Sequence, residues 1–353
     1  VGPSVTLTCS VPAAYIRIDH YGPVRVASEV TRASAQECGL TGALPHQAAV
    51  IASELARNIA KHATYGALSI HPLPLGGGLE ILASDHGPGS PELERCRTDG
   101  FTTTSTLGAV SRVAATFTIE TRPGTGTLVR ARLALPGRRQ AAHQDTGLVS
   151  LPADIGTHCA DAAADANAAA VLDTGTARTA AVIDGLGHGH GHEAAEAAQA
   201  APRSFRDTAE QPLPHILTAP HRALRHTRGT AVGIARPHAE RAECSGTGDV
   251  RTGTLSPHHV HRRVTGRPGI VGRRTPAPHT RHALHARQLL RPAGTAVVLP
   301  ADGIDPQWSH TPTDFPPRPA PPLLAAAIAP TPPALRFQDD ATVSTARPGQ
   351  VTS

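Results

Sequence analysis

At 353 residues the chain is long enough for two domains, each with its own core. Aromatics are only 3% and Met is absent, so these cores are expected to be built from Ala, Val, Leu and Ile with little large-area aromatic packing. The formal charge of +5 comes from Arg scattered along the chain, with Lys61 the single lysine; with no clustered basic helix and no aromatic stacking positions, a nucleic-acid binder is set aside.

Five cysteines (Cys9, Cys38, Cys96, Cys159, Cys244) lie far apart with no Cys-x-x-Cys, which points to neither a disulfide framework nor a zinc knuckle and fits a reducing cytoplasm. No apolar run reaches the roughly 18 to 20 residues that span a bilayer, and no basic segment followed by a hydrophobic core opens the sequence. The expectation is a cytoplasmic protein with no membrane partner.

In chain order, Tyr15-Ile16-Arg17-Ile18-Asp19 alternates as a strand does, and 24–38 reads as a helix ended by Gly39-Leu40-Thr41-Gly42. Pro45 suits the first turn of a helix running to about His62, with Ile51, Leu55 and Ile59 as its buried stripe. Glu54 and Asn58, also four apart, share the neighbouring stripe. A carboxylate and an amide one turn apart can hold Mg²⁺ and orient an attacking group, although spacing alone favours a solvated polar face. Gly76-Gly77-Gly78 is a tight turn, after which Leu79 to Ala83 reads as a strand delivering Asp85 and the loop His86-Gly87-Pro88-Gly89. A Thr/Ser-rich loop leads to Leu107-Gly108 and a short helix. A strand at 116–121, the turn Pro123-Gly124-Thr125-Gly126 and a closing strand at 127–135 follow.

This segment resembles the GHKL ATP-binding fold, and within it the RsbW/RsbT-type serine kinases. The resemblance implies an N-terminal nucleotide domain at 11–136. In that family Glu54 would serve as base or water-orienting group and Asn58 as the ligand of Mg²⁺ bound with ATP. Asp85 would take the adenine amino group. Gly87 and Gly89 would let the backbone approach the nucleotide, and Gly108 and Thr127 would complete the cradle. One family glycine is replaced, in Leu107-Gly108-Ala109-Val110.

Residues 137–147 are polar, basic and aperiodic, a linker. The second domain is expected at 148–348, with strands through about 162–172, 179–183, 230–235 and 241–250, a helix at 193–201 and a short one at 323–328. Many strands with two helical segments indicate a sandwich of two sheets with helices outside. Its centre is Ala181-Val182-Ile183-Asp184-Gly185-Leu186-Gly187-His188-Gly189, an apolar run ending in an acid and a glycine-rich turn. Such a carboxylate suits a hard divalent cation. Asp161, Asp302-Gly303 and Asp339-Asp340 add acids at similar positions. His188, His190 and His192 alternate, but the glycines between them favour a turn over a zinc site.

These motifs resemble the SpoIIE-type metal-dependent serine/threonine phosphatases, in particular the RsbX-like members. The resemblance implies an α-β-β-α sandwich. Asp161, Asp184, Asp302 and Asp339, with the carbonyl of Gly185, would hold two Mn²⁺ or Mg²⁺ ions that activate a water to attack phosphorus. The fold class expected for the whole chain is α+β with an α/β sandwich. The implied function is a protein serine phosphatase joined to an ATP-binding, switch-kinase-like domain. Its implied partners are a phosphoserine-bearing STAS-domain regulator or stressosome protein and a sigma factor. A second reading, a partner-binding regulator that sequesters a sigma-factor pathway protein without turnover, rests on Ala109 and Ala160 standing where the families carry glycine.

Overall fold

The computed structural model describes residues 6–9, 14–64, 66–73, 76–89, 106–135, 146–151, 167–174, 177–185, 192–224, 227–248, 250–255, 260–265, 271, 286–290, 295–301, 304 and 341–346. They form a mixed α+β protein with three antiparallel sheets.

The first sheet has the order β2-β3-β4-β6-β5, built from β2 (Ala14–Ile18), β3 (Gly66–Pro72), β4 (Gly78–Asp85), β5 (Thr116–Arg122) and β6 (Gly126–Ala134). One face carries α1 (Pro23–Glu37), α2 (Leu44–His62) and α3 (Thr106–Val113). Pro23 and Pro45 each sit in a first turn, where the missing N–H costs nothing. Ile51, Leu55 and Ile59 are buried against Ile16, Leu68, Ile70, Ile81 and Val129, and Ala48, Ala52 and Ala56 let the α2 backbone approach closely. Lys61 and His62 in the last turn of α2 oppose the negative end of its dipole.

Alternate residues on the other face of this sheet are polar, yet buried. Glu80 accepts from Arg132 Nε and stands 3.4 Å from His71 Nε2, and Arg130 donates to the Thr118 hydroxyl at 2.9 Å. His71, Glu80, Arg130 and Arg132 are each at most 4% exposed, so the ion pair must offset the cost of removing its charges from water.

The other two sheets face each other. One has the order β1-β8-β9-β10-β11-β14 and the other β13-β12-β15-β16-β7. The first comprises β1 (Thr6–Cys9), β8 (Asn167–Asp173), β9 (Arg178–Gly185), β10 (Thr230–Pro237), β11 (Arg241–Thr247) and β14 (Arg287–Leu290). The second comprises β7 (Thr146–Leu151), β12 (Arg251–Leu255), β13 (Val260–Thr265), β15 (Ala296–Pro300) and β16 (Ala341–Ala346). Strand alternation divides the side chains. Ala169, Val182, Ala231 and Cys244 meet Val297 and Leu299 between the sheets, while Ala168, Ile183, Val232 and Ile234 pack under α4 (His192–Ser204) and α5 (Leu213–Ala223). Three layers, helix, sheet and sheet, are present among the described residues. Phe205, fully buried, anchors the α4 end of the helical layer.

Several elements differ from the sequence expectation. The strand expected over 241–250 ends at Thr247, where Gly248 at φ +69° turns the chain toward β12, which begins at Arg251. Helix α5 was not expected, since Pro214 and Pro220 lie within it; Pro214 falls in its first turn and Pro220 is tolerated near its end. Strands β13 and β14 lie in a stretch whose Arg, His, Pro and Gly content hides a period-2 pattern. Strand β7 opens at Thr146 and β8 at Asn167, and β1 joins a sheet whose other strands all follow residue 166. The helix expected at 323–328 lies outside the described residues. Cys38 and Cys244 are free thiols, and burial pushes the Cys244 thiol up to about 12. No helix among the described residues is long and apolar enough to cross a membrane.

Candidate functional site

The chain leaves β4 at Asp85 and turns through His86–Gly89. The Gly87 N–H donates to Asp85 Oδ1 at 2.8 Å, and the Thr127 backbone N–H, directly across the β4–β6 ladder, also bonds this carboxylate. Burial pushes the Asp85 carboxyl above its ordinary 3.8, while the two N–H donors and the nearby His86 and His62 pull it back down.

The glycines close the loop. A Cβ on Gly87 would lie 3.0 Å from both Asp85 Oδ1 and the His62 carbonyl, so the loop is pressed against the C-terminal end of α2. Gly89, at φ +65°, approaches the Arg122 carbonyl, and the Gly124 N–H donates to the Pro88 carbonyl at 2.8 Å. A Cβ on Gly126 would stand 2.0 Å from the Asp85 carbonyl. Asp85, Gly87, Gly89 and Thr127 are thereby gathered at one corner, under the helix that bears Asn58 one turn before His62.

Glu54 is placed in a groove of ≈ 420 Å³ between α1 and α2, with Ser28, Glu29, Arg32 and His46. Arg57 Nη1 donates to Glu54 Oε1 at 2.8 Å and fixes that carboxylate. Asn58 is half-buried on the same helix. Gly108 is buried in the first turn of α3, where its carbonyl accepts from the Ser111 hydroxyl at 3.0 Å. The first-turn N–H groups of a helix have no intrahelical acceptors and suit an anion.

The second candidate site lies at the mouth between the two facing sheets. Asp184 is the penultimate residue of β9 and shares a face with Val182, which packs between the sheets. Opposite it on β8 stands Asn167, 6% exposed. Thr230 uses both its N–H and its C=O on Val271, at 2.8 and 2.9 Å. Gly185, its partner on β9, therefore forms a non-hydrogen-bonded pair with it, and the Gly185 carbonyl points away from β10, past the start of β8. By the same alternation Asn167 and Asp184 form a non-hydrogen-bonded pair, in which side chains approach most closely.

A carboxylate, a carboxamide and a strand-end carbonyl are hard oxygen donors, and this set fits Mg²⁺ or Mn²⁺. Asp161, Asp302 and Asp339 lie outside the described residues. Pro300 at the end of β15 pairs with Val343 near the start of β16, so β15 ends and β16 begins at one end of that sheet. Among the described residues no three His, Cys, Asp or Glu side chains form a metal-binding group.

Two residues went unnoticed in the sequence. Asn167 is a lone amide before an Ala run, and only the β8–β9 register shows its neighbour. Arg57 stands three residues after Glu54, and that spacing was the available signal.

The chain belongs, over the stretch concerned, to a family of serine/threonine-protein kinases. The relative that shows this is the serine/threonine-protein kinase RsbT of Bacillus subtilis (strain 168), 34% identical over 122 residues, which make up 33% of this chain and 92% of that kinase. No protein-family model matches the chain. Among solved structures, RsbX in complex with magnesium is similar at a TM-score of 0.44 and 16% identity, over 57% of this chain and 94% of that one. The PP2C phosphatase domain of SpoIIE from Bacillus subtilis, with a fragment of its regulatory domain, is similar at 0.44 and 14% identity, over 77% and 79%. The SiaA-PP2C domain of Pseudomonas aeruginosa is similar at 0.46 and 14% identity, over 58% and 87%.

Proposed function

We propose that the chain is a metal-dependent protein serine phosphatase joined to an ATP-binding, switch-kinase-like domain, and that it sets the phosphorylation state of a serine on a STAS-type regulator in a sigma-factor or stressosome pathway. The observation that carries the phosphatase reading is the placement of Asp184, on the inter-sheet face at the end of β9, with Asn167 beside it and the Gly185 carbonyl turned to the same mouth.

In this reading Asp184 and the Gly185 carbonyl would hold the metal together with Asp161, Asp302 and Asp339. Mn²⁺ or Mg²⁺ would supply an activated water and neutralise the phosphoryl oxygens. Asn167 orients the Asp184 carboxylate, and the buried strand pair beneath keeps both from shifting when the phosphate enters. In the other half Asp85 receives the adenine amino group. The Gly87 and Gly89 loop would let the backbone approach the nucleotide, and Thr127 and Gly108 would complete its cradle. Asn58 holds the Mg²⁺ of bound ATP, and Glu54, fixed by Arg57, acts as base.

The deciding experiment is hydrolysis of p-nitrophenyl phosphate and of a phosphoserine STAS protein, with and without Mn²⁺, by the parent and by Asp184→Asn. Activity that needs Mn²⁺ and is lost in the variant is expected. A folded, Mn²⁺-supplied parent that hydrolyses neither substrate would overturn the phosphatase reading in favour of a regulator that binds its partner without turnover.

A further inference from the structure

Strand β1 is in an unexpected sheet. Residues 6–9 pair with β8 in the register Thr6↔Asp173, Leu7↔Leu172, Thr8↔Val171 and Cys9↔Ala170. Four residues later the chain enters β2, the edge strand of the other, nucleotide-side sheet. Five Cα steps of roughly 3.5 Å can span at most about 17 Å, so the edges of the two sheets are held close. Helix α4 runs against β1 as it does against β8 and β9, so β1 shares the helical cover of its sheet.

Without β1, β8 would be the edge of its sheet and would present unpaired N–H and C=O groups beside a run of buried alanines. Strand β8 is also the strand that sets Asn167 against Asp184.

We propose that the outer edge of β8 is a docking edge for a single extended strand, that its occupant is residues 6–9 of the same chain, and that this clasp anchors the nucleotide half on the sheet supporting Asp184. The clasp stands on the strand pairing alone; only its effect on hydrolysis rests on the phosphatase reading. The fit is a property of backbone and register. Addition of a strand supplies the missing hydrogen bonds of the edge and lets the adjoining alanines stay covered. It also ties the halves at a second point besides the 136–145 connection.

The test uses the native Cys9. In an antiparallel pair, directly opposite residues have Cα atoms about 4.5 to 5.5 Å apart, within disulfide range, whereas a residue one step along faces the other way. Full-length Ala170→Cys, oxidised with diamide and mapped by peptide mass spectrometry, is expected to join Cys9 to the introduced thiol within one chain. The extent should be at least about tenfold greater than in Val171→Cys. Equal or absent cross-linking would overturn the register, and a cross-link between two chains would overturn the occupant.

Hydrogen exchange on the otherwise unaltered chain guards against a variant that fails to fold. Thr8→Pro removes an N–H from β1 and fits poorly in a paired strand, so exchange at 168–172 should rise about tenfold while β3 and β4 stay unchanged. Unchanged exchange at 168–172 would overturn the clasp. Mn²⁺-dependent p-nitrophenyl phosphate hydrolysis by Thr8→Pro should fall at least about threefold; accelerated exchange with undiminished hydrolysis in an active parent would overturn the coupling to Asp184. A parent inactive on both phosphate substrates would defeat the phosphatase reading, while cross-linking and exchange would still decide the clasp.

Discussion

Asn167 stands directly opposite Asp184 at the mouth of the two-sheet half, in a non-hydrogen-bonded pair of β8 and β9. That pairing gives the Asp-Gly turn a neighbour that is neutral, polar and almost fully buried. A second carboxylate there would repel Asp184 before any cation arrived, and an apolar residue would leave one side of it without a polar neighbour.

Asn167→Ala is therefore expected to weaken Mn²⁺ activation without unfolding the protein. Residues that orient metal ligands typically matter by about 10- to 100-fold in affinity or activity. The Mn²⁺ concentration giving half-maximal p-nitrophenyl phosphate hydrolysis should rise about tenfold, and Asn167→Asp should restore Mn²⁺ affinity better than Ala does. A metal titration of the three proteins checks this, and an unchanged midpoint in Asn167→Ala would remove the residue from the site.

Two glycines of one turn should behave differently. Gly126 has φ +139°, and a Cβ there would stand 2.0 Å from the Asp85 carbonyl; Gly124 has φ +77° with nothing within 4 Å. Gly124→Ala should cost about 1 to 2 kcal/mol, the left-handed backbone penalty alone. Gly126→Ala adds a backbone collision that cannot be relieved by a rotamer change, and should cost about 3 kcal/mol or more together with the loss of ATP binding. Hydrogen exchange over β4 and β6 with and without ATP separates the two cases.

Asp85 predicts a pH dependence. Its folded carboxyl titrates above the ordinary 3.8 because burial disfavours the anion. If, as proposed, it accepts the adenine amino group, it works best ionised, so ATP affinity should start to decline at a higher pH than a solvent-exposed Asp would dictate. The sign for stability is opposite. With the folded value raised, the unliganded protein gains from Asp85 at low pH and loses that gain as pH rises through the folded value. Asp85→Asn should accordingly stabilise the ligand-free protein slightly at pH 7 while weakening ATP about tenfold or more. Calorimetric titration at several pH values, with melting curves of the ligand-free pair, tests both signs.

What the sequence made legible was whatever a single element or turn encodes. The α2 stripe Ile51, Leu55 and Ile59 is one helix's own period, and Asp85 is marked by the glycines that the bend around it requires. The Asp184 run could be read because its apolar residues precede a turn. Asn167 and β1 could not, because their roles exist only in register. An Asn before three alanines carries no mark of the acid it will face, and Thr6-Leu7-Thr8-Cys9 is too short to announce a partner far along the chain. Glu80 escaped notice for a related reason. On β4 it breaks a buried run, and only the flanking strands reveal that it meets His71 and Arg132.

That trio supports the last prediction. Glu80 is fully buried between a guanidinium and an imidazole. Glu80→Ala leaves the Arg132 charge buried without its carboxylate and should destabilise the first sheet by about 3 to 5 kcal/mol, the range for breaking one side of a buried pair. Glu80→Gln keeps the shape and an acceptor and should cost less. His71 titrates below its ordinary 6.5, chiefly because burial disfavours the imidazolium and although Glu80 pulls the other way. In the unfolded chain the same ring protonates near 6.5, so below that pH the unfolded state takes up a proton that the folded state refuses. Stability from His71 is complete above 6.5 and declines as pH falls through that value toward the lower folded one. Hydrogen exchange of the β3–β4 and β4–β6 amides at pH 7.5 and 5.5 should show a loss of protection in the parent, after correction for the intrinsic rates, and a smaller loss in His71→Gln. Equal losses in the two proteins would mean that His71 titrates alike in the folded and unfolded chains, with Glu80 cancelling the burial around it.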